Sequence, residues 1–428
     1  MSVLISEKST LLTSDAVVKS RDALLSLRDE VLKNPLCKFP AAFVEACQQI
    51  EEGQSSFDVV LFGYNSDLLH YLDYAILLEH LYPGQINMRA IVAVNEADAF
   101  VTQYRGIPVL QKNEFLNNLS DYAGAIFVDI TIVWLPYSKY VNPINAAGLT
   151  YVRVEQFRQA PLTRIFPNNI QKMKTLYYLE NFDQMLALES IFEDEKSICV
   201  FHSNMQAVIS ANDTYYLQYN DHSKYRYIPQ DVDFEFGENE VYIDTGAFNG
   251  EDAIRFANAM NHRFKAIHSF EPEPSNFIKV TQNINRYIHQ LPPEASDSFF
   301  IHPFGVWNKK SLLEFSGSEQ GGVILESHGP MAGISDGKTI FAVDLDNYLD
   351  EMTYLKLEIE GSEKQALDGA RGLILQHKPK LAVSVYHLPD DFIVLTEAIQ
   401  NFDLGYRFTL RHHGLDQGTL CYYCQVPN

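Results

Sequence analysis

The fold is decided by Val241-Tyr242-Ile243-Asp244-Thr245-Gly246-Ala247-Phe248-Asn249-Gly250 and, further along, by Ser269-Phe270-Glu271-Pro272. The first stretch is an apolar run that ends in an acid and a Gly-x-x-x-Gly turn, and a helical pattern follows it. The second is another apolar run that ends in an acid. Acids and glycines at the carboxyl ends of parallel strands are typical of sites that hold a nucleoside-bearing ligand. The alternative is a purely structural strand-turn-helix with a tight glycine corner.

The spacing of the glycines favours S-adenosylmethionine over a dinucleotide. A dinucleotide fingerprint is Gly-x-Gly-x-x-Gly, whose glycines let a pyrophosphate approach the start of a helix. Here an acid precedes the turn, and the pattern is Asp244-x-Gly246-x-x-x-Gly250. S-adenosylmethionine has no phosphate and carries an ammonium and a sulfonium, so an acidic rim suits it better.

Composition limits the partners of this chain. Its 428 residues exceed one ordinary core and suggest two or three domains. A net charge of -22 argues against a nucleic-acid partner, because phosphate contacts need clustered Lys and Arg. No signal-peptide layout opens the chain, and no run approaches the roughly 20 apolar residues of a membrane span. Five scattered cysteines predict reduced thiols in a cytoplasm. The sequence does not name the oligomeric state and leaves a homodimer open.

Four regions are predicted from the pattern of apolar residues. Residues 1–56 read as two helices, and 57–154 alternate strands with helices as a small Rossmann-like α/β domain does. Residues 155–225 form a helical connector. Residues 226–428 form a larger alternating unit that ends in a hairpin, Arg407–Leu410 with Leu420–Gln425. The predicted fold class is therefore α/β, with a doubly wound Rossmann-like C-terminal sheet preceded by the smaller domain and its helical N-terminus.

Two loops leave alternatives open. The turn Gly63–Asp67 keeps a single glycine, so a structural or partner-binding role for the first domain is favoured over a nucleotide site. The stretch from Ser316 to Pro330 is glycine-rich and long, and it is either a lid over a substrate or a plain β-excursion.

A second strong signal is Tyr354-Leu355-Lys356-Leu357-Glu358-Ile359-Glu360-Gly361-Ser362-Glu363. It places two carboxylates and a glycine where a strand leaves the sheet. Removing two carboxylates from water at the end of a strand costs free energy unless they stay hydrated or bind a ligand.

Taken in order, these motifs resemble the FkbM-type family of S-adenosylmethionine-dependent methyltransferases. The family pattern is approximately Asp-x-Gly-Ala-x-x-Gly-(Asp/Glu), then Phe-Glu-Pro, then Lys-x-Asp-x-Glu-Gly-x-Glu. This chain has Asp244 to Glu251, Phe270-Glu271-Pro272 and Lys356 to Glu363 in the same order. Tyr386-His387-Leu388-Pro389-Asp390-Asp391 extends the likeness, which covers about residues 226–428. One position departs, since the family's aspartate of the fourth strand is Glu358 here.

The resemblance implies transfer of a methyl group from S-adenosylmethionine, typically to a hydroxyl of a sugar or small metabolite. It assigns cofactor binding to Asp244, Gly246, Asn249, Gly250, Glu271, Gly305 and Glu358. The first four of these would frame the methionine end, and Glu271 would accept hydrogen bonds from both ribose hydroxyls, which needs an acceptor-only side chain. The alternative for Glu271 is an ordinary exposed acid at a strand end.

An alcohol is a poor nucleophile until its proton is being removed, so a base would assist the transfer. Glu360 and His387 are the two catalytic candidates, and a histidine is largely neutral at pH 7. The alternatives are a buried His387 bonded to Asp390 or Asp391, and a Glu360 that only stabilises its loop. Asp344, Glu358 and Glu360 could together offer oxygen ligands to a divalent metal, but the sequence gives no dedicated metal spacing, and no metal is expected.

A hypothesis from another class is a non-catalytic binding or assembly protein that keeps the methyltransferase fold. The aspartate-to-glutamate departure at Glu358 and the large N-terminal region motivate it.

Overall fold

The computed structural model describes residues 14–64, 76–94, 100–130, 138–162, 170–221, 226–291, 297–318, 321–325, 338–414 and 417–427. The chain forms two compact units. One comprises the described residues of Met1–Lys19, Asn181–His202 and Tyr219–Asn428, and the other those of Ser20–Glu180 and Ser203–Gln218. The predicted four regions, with boundaries after residues 56, 154 and 225, stay a prediction. No helix in the described ranges is both long enough and apolar enough to cross a membrane.

The first part of the chain builds a parallel sheet after two helices. Its elements are α1 (Asp15–Lys33), α2 (Ala41–Glu51), β1 (Phe57–Tyr64), β2 (Ile86–Ala93), β3 (Gln103–Tyr104), β4 (Ile107–Gln111), α3 (Lys112–Asn117), β5 (Ile126–Asp129), α4 (Ser138–Ala146), β6 (Thr150–Arg153), α5 (Val154–Arg158) and α6 (Ile170–Glu180). The strand order is β3-β4-β2-β1-β5-β6, and only β3 runs antiparallel to its neighbour. Most of the Gly63–Asp67 turn lies outside the described residues.

The larger unit is organised around a seven-stranded sheet. Its elements are α7 (Phe182–Ala187), the first part of α8 (Glu195–Ser210), β7 (Val241–Thr245), α9 (Glu251–Ala259), β8 (Ala266–Phe270), α10 (Pro274–Ile288), β9 (Phe299–His302), β10 (Gly305–Val306), β11 (Ser311–Ser318), β12 (Gly321–Leu325), β13 (Lys338–Val343), β14 (Tyr354–Leu357), α11 (Glu363–Gly369), α12 (Arg371–His377), β15 (Lys380–Ser384), α13 (Asp391–Gln400), β16 (Arg407–His412) and β17 (Leu420–Gln425). The strand order is β16-β17-β15-β14-β7-β8-β9.

This order fixes where a ligand can bind. From β7 the chain moves outward through β8 and β9, and then returns to β14 on the other side of β7 before moving to β15. All of these neighbours are parallel. The direction of winding therefore reverses between β7 and β14, and ligands of such sheets bind outside the carboxyl ends of the strands at that point.

Both central strands are buried along their whole length, as expected for parallel strands covered on two faces by helices. The predicted α/β class, with a doubly wound sheet and a smaller Rossmann-like sheet before it, is confirmed. The terminal hairpin is also confirmed, since β16 and β17 pair antiparallel. In the glycine-rich stretch, β11 and β12 form an antiparallel pair, so its described part is a β-excursion. Residues 319–320 and 326–337 lie outside the described residues.

We expect Gly369→Ala to lower the free energy of unfolding by about 1–3 kcal/mol, because an added Cβ would overpack a rigid contact. That Cβ would lie 2.1 Å from the carbonyl oxygen of Trp307. The Trp307 amide is itself bonded to the Val343 carbonyl at 2.9 Å, so the backbone there has little room to move. Urea denaturation measures the effect.

The matched control is Gly237→Ala, where an added Cβ meets nothing within 4 Å and the backbone is not left-handed. We expect that change to stay within about 0.5 kcal/mol. Equal losses in the two variants would contradict the packing argument.

Candidate functional site

The Asp-x-Gly turn after β7 is pressed against the loop after β14. Gly246 has a φ of 72°, in the left-handed region, and a Cβ placed on it would lie only 1.9 Å from the carbonyl oxygen of Glu358. The amides of Gly246 and Ala247 both donate to the carbonyl of Phe270 at 3.0 Å. Only glycine meets both the conformation and the close approach. The turn therefore joins three segments that the sequence singled out separately.

Beneath this turn lies a buried ion pair between the two central strands. Lys356 and Asp244 are register partners on β14 and β7, and they are 1% and 0% exposed. The Lys356 ammonium donates to Asp244 Oδ1 at 2.8 Å and to the Gly246 carbonyl at 2.9 Å, and it lies 3.5 Å from Asp252 Oδ2. Burial raises the pKa of Asp244 in spite of the lysine. Burial also opposes the lysine's charge, but Asp244, Asp252 and Glu358 together raise the pKa of Lys356.

Glu271, at the end of β8, is buried and not an exposed strand-end acid. Its side chain accepts the Phe248 amide at 2.8 Å on Oε2 and the Glu273 amide at 2.9 Å on Oε1. Each oxygen keeps a lone pair for a further donor. Burial raises the pKa of Glu271 to about 7, and the two amides oppose that rise.

These groups surround a cavity of about 330 Å³ at the carboxyl ends of the strands. Five of the candidate residues line it: Gly246, Glu271, Gly305, Glu358 and Glu360. Its other walls include the rings of Phe270 and Phe304 and the side chains of Arg226 and Lys356. The cavity sits at the reversal point of the sheet, where the strand order places a ligand site.

Asp244, Asn249, Gly250 and His387 lie outside the lining. Asn249 Oδ1 accepts the Glu251 amide at 3.1 Å, and the Asn249 carbonyl accepts Asn283 Nδ2 at 3.0 Å. Gly250 precedes α9 in a left-handed conformation. Asn249 and Gly250 therefore shape the turn and the start of α9. Contact of Asp244, Asn249 and Gly250 with a cofactor stays a prediction.

Glu358 is held by hydrogen-bond donors from several segments. Its Oε2 accepts the Arg226 guanidinium at 2.8 Å and the Tyr227 hydroxyl at 2.7 Å, and it also accepts the Ser384 hydroxyl. Its Oε1 accepts the Tyr386 hydroxyl. Burial alone would raise the pKa of Glu358, but Arg226 and the neighbouring cations hold it well below its usual range. This carboxylate is therefore ionised throughout the physiological range.

His387 lies among three carboxylates. Its side chain is 7% exposed, with Nδ1 2.9 Å from Glu363 Oε1 and Nε2 3.6 Å from Glu358 Oε1 and 3.5 Å from Glu360 Oε2. Neither ring nitrogen has a partner in hydrogen-bonding alignment. Burial lowers the pKa of His387, but Glu363 and the other two carboxylates raise it well above its usual value. A ring that already holds its proton is a poor base. These glutamates take the place of the Asp390 or Asp391 partner that the sequence suggested as the alternative.

Glu360 differs from Glu358 in exposure and in backbone. Its side chain is 39% exposed and lines the cavity, and its φ of 58° is left-handed, which is uncommon for a residue with a Cβ. Burial raises the pKa of Glu360, while His387 acts in the opposite direction. Backbone strain of this kind costs of order 1–3 kcal/mol and is concentrated at functional sites.

Sequence reasoning assigned no role to three residues of the site. Lys356 carried a readable signal, because it is the only charged residue in a four-residue strand that is otherwise apolar or aromatic. Arg226 and Phe248 carried none. Arg226 reaches Glu358 across 132 positions of sequence, and Phe248 is a partly exposed aromatic at the cavity. Asp344, considered as a metal ligand, instead accepts the Asn347 amide at 3.1 Å and does not line the cavity.

Residues 244–409 match the model of the methyltransferase FkbM domain. The chain carries an FkbM methyltransferase domain. The matched range contains all three motifs on which the resemblance was based, so the predicted family is confirmed. It ends before β17, the last strand of the hairpin.

The fold is similar to the crystal structure of methyltransferase FkbM from Methylobacillus flagellatus KT. The TM-score is 0.75 at 20% sequence identity, and the match covers 95% of this chain and 100% of that chain. At this identity the likeness concerns the fold alone. An rRNA methylase from Streptococcus thermophilus matches with a TM-score of 0.29 and 14% identity over 45% of this chain and 89% of its own, which is too distant to support an argument. No curated protein matches the sequence.

We expect Lys356→Met to lower the free energy of unfolding by about 3–5 kcal/mol, because it leaves the Asp244 carboxylate buried without its cation. The matched control is the double variant Asp244→Asn/Lys356→Met, which leaves neither charge behind and should lose less than Lys356→Met alone. Urea denaturation of the wild type and the two variants measures the difference. A double variant less stable than Lys356→Met would show that the pair is not coupled in this way.

Proposed function

We propose that this protein is an S-adenosylmethionine-dependent methyltransferase that methylates a hydroxyl oxygen of a sugar or small metabolite. The observation that carries the proposal is the cavity at the reversal point of the sheet. It brings Gly246 and Glu271, on the side of β7 and β8, together with Glu358 and Glu360, which follow β14. Gly246 and Glu271 suit a nucleoside. Glu358 and Glu360 suit a cationic group and an acceptor hydroxyl that must lose its proton.

The residues present fit the cofactor. A cavity of about 330 Å³ falls in the range of small-molecule sites, about 300–1,000 Å³. Glu271 has one lone pair left on each oxygen for a pair of ribose hydroxyls, and Phe270, Phe304 and Val306 offer apolar walls for an adenine. Gly246 keeps clear the space that a Cβ would fill. Ionised Glu358 supplies negative charge for a ligand that carries a sulfonium.

Bound S-adenosylmethionine would supply an electrophilic methyl group on a sulfonium. In such a transfer the acceptor oxygen would bond to the methyl carbon as the carbon–sulfur bond broke, the electron pair would stay with sulfur, and Glu360 would be placed to take the hydroxyl proton. Much of the rate can come from holding the reacting atoms in line. The chain's own contribution is to define that line between the Glu271 side and the Glu360 side of the cavity.

Glu360 is the better candidate for accepting the proton. Two carboxylates whose environments push their pKa values apart divide acid–base roles between them. Here Glu358 stays ionised and accepts four hydrogen bonds, whereas Glu360 has a raised pKa, reaches the cavity and accepts no hydrogen bond from the part of the chain that the structure describes. His387 is the poorer base, because the carboxylates around it raise its pKa and favour the protonated ring.

We expect Glu271→Gln to weaken binding of S-adenosylhomocysteine about 10- to 100-fold at pH 8, since a charged acceptor for two hydroxyls is lost. The wild-type affinity should also depend on pH. A carboxyl with a pKa of about 7 must be ionised to accept both hydroxyls, so binding is strongest above pH 7 and falls about tenfold per pH unit below it. Calorimetric titration between pH 5.5 and 8.5 measures both effects.

The control is Glu251→Gln, an exposed acid beside the same turn that does not line the cavity. It should bind like the wild type and keep the pH dependence, which Glu271→Gln should lose. A folded Glu271→Gln protein with wild-type affinity would remove Glu271 from the site.

We expect Glu360→Gln to lower kcat about 10²- to 10⁴-fold while leaving the affinity for S-adenosylhomocysteine nearly unchanged, because a general base acts on the chemical step. Turnover is followed as S-adenosylhomocysteine released in the presence of a panel of sugars and small hydroxylated metabolites. Release that depends on one acceptor identifies the substrate class.

A wild-type protein that binds S-adenosylhomocysteine but transfers to no acceptor of the panel would favour the non-catalytic interpretation. Undiminished turnover in Glu360→Gln would contradict the assignment of the base and leave the methyl transfer itself standing.

A further inference from the structure

We propose that Glu358, Glu360 and His387 bind a divalent transition-metal ion, of the kind of Mn²⁺ or Zn²⁺, beside the cavity. One ligand atom from each of the three side chains falls within 4.8 Å of the others. The role of this ion rests on the proposed methyl transfer, but its binding does not.

The two distances from the histidine nitrogen to the carboxylates are those of ligands around one ion, and all three atoms lie within 4.8 Å of one another. His387 Nε2 lies 3.6 Å from Glu358 Oε1 and 3.5 Å from Glu360 Oε2. These separations are too long for good hydrogen bonds. Nitrogen and oxygen ligands that each lie about 2.0–2.2 Å from a metal at tetrahedral angles are about 3.3–3.6 Å apart. The gap between the ring and the two carboxylates is therefore wide enough for an ion.

The second observation is the setting of the histidine. Its side chain is more than nine-tenths buried, and Nε2, which faces both carboxylates, has no hydrogen-bond partner. On the other side of the ring, Nδ1 lies 2.9 Å from Oε1 of buried Glu363, which also accepts the Ile359 amide at 3.0 Å. A histidine that binds a metal almost always has a carboxylate, a carbonyl or a water at its other nitrogen. Glu363 stands in that position.

The backbone brings the third ligand into place. Glu360 and Gly361 are both left-handed, with φ of 58° and 97°, so the chain turns sharply as it leaves the loop after β14. This turn places the Glu360 carboxylate beside the histidine that follows β15. Strain in a residue with a Cβ persists only where the surrounding structure imposes it.

Charge and ligand type select the ion. Glu358, Glu360 and Glu363 carry three negative charges, and Arg226 offsets one of them through Glu358 Oε2 at 2.8 Å. The ion takes the place of the proton on His387 Nε2, and with the imidazole then neutral the two remaining charges match a divalent cation. Arg226 binds the oxygen that faces away from this gap, since Oε1 is the one nearer His387. One imidazole with two carboxylates suits Mn²⁺ or Zn²⁺ better than Ca²⁺ or Mg²⁺, which favour all-oxygen sites.

The position of the site gives the ion a use. Glu358 and Glu360 both line the cavity, so an ion held between them is accessible to a ligand inside it. A divalent cation polarises an acceptor oxygen and lowers the pKa of its proton. In that case Glu360 holds the ion, and the hydroxyl of the acceptor loses its proton to solvent.

The test is a titration of chelator-treated protein with Mn²⁺, followed by the loss of the free-ion electron paramagnetic resonance signal. We expect one Mn²⁺ per chain, and binding weakened at least about tenfold in Glu360→Gln and in His387→Gln. Binding of Zn²⁺ is measured by its displacement of bound Mn²⁺, which restores the free-ion signal. Thermal unfolding checks that the variants fold. If His387→Gln does not fold, Glu360→Gln decides the test, because the Glu360 side chain is partly exposed and its change is less disruptive.

Glu271→Gln is the matched control, because it removes a buried carboxylate of the same cavity that is not a ligand. It should bind Mn²⁺ like the wild type. Absence of Mn²⁺ and Zn²⁺ binding in the folded wild type, or equal binding in Glu360→Gln, would overturn the site. Binding of S-adenosylhomocysteine without any metal would then leave the proposed function intact, whereas metal binding without S-adenosylhomocysteine would leave the site intact and overturn that function.

Discussion

The methyltransferase unit depends on one buried ion pair. Lys356 and Asp244 are partners on the two strands between which the sheet reverses its winding. Removing two charges from water is expensive, and the pair is tolerable only because the ammonium also donates to the Gly246 carbonyl and faces Asp252. A one-residue slip of either strand would bury both charges without partners. The pair therefore specifies the register, and the same ammonium holds the carbonyl of Gly246 in the turn after β7.

The residues around the cavity are connected to this ion pair by a series of direct contacts. The turn at Gly246 lies against the carbonyl of Glu358, which leaves no space for any side chain between them. The amides of the same turn bond to the end of β8, and the Phe248 amide then reaches Glu271. A carboxylate that is oriented by two backbone amides does not need to reorganise when a ligand arrives. Preorganised polar groups of this kind are the main means by which sites gain affinity and rate.

Local sequence signals predicted the strands, and five of the nine candidate residues line the cavity, but these signals did not predict the contacts between distant segments. Alternation of apolar strands and helices predicted the doubly wound sheet, and an acid at a strand end predicted Glu271, because each signal lies within a few residues. The partners of Glu358 come from residues 226–227 and 384–386. No pattern links these positions until the strand order places them at one edge. The ionisation of His387 was unpredictable for the same reason. Its three carboxylates all come from the segment Glu358–Glu363 after β14, whereas the histidine follows β15.

Glu358 stands where the family pattern has an aspartate, and its surroundings show how the chain accommodates the longer side chain. A carboxylate without a function, left at the carboxyl end of a buried strand, would be a cost without compensation. Here the side chain of Glu358 accepts hydrogen bonds from a guanidinium and three hydroxyls, so its charge is compensated. Two residues later the chain keeps a strained Glu360 at the cavity. The compensated charge of Glu358 and the position of Glu360 at the cavity together weaken the motive for a non-catalytic interpretation.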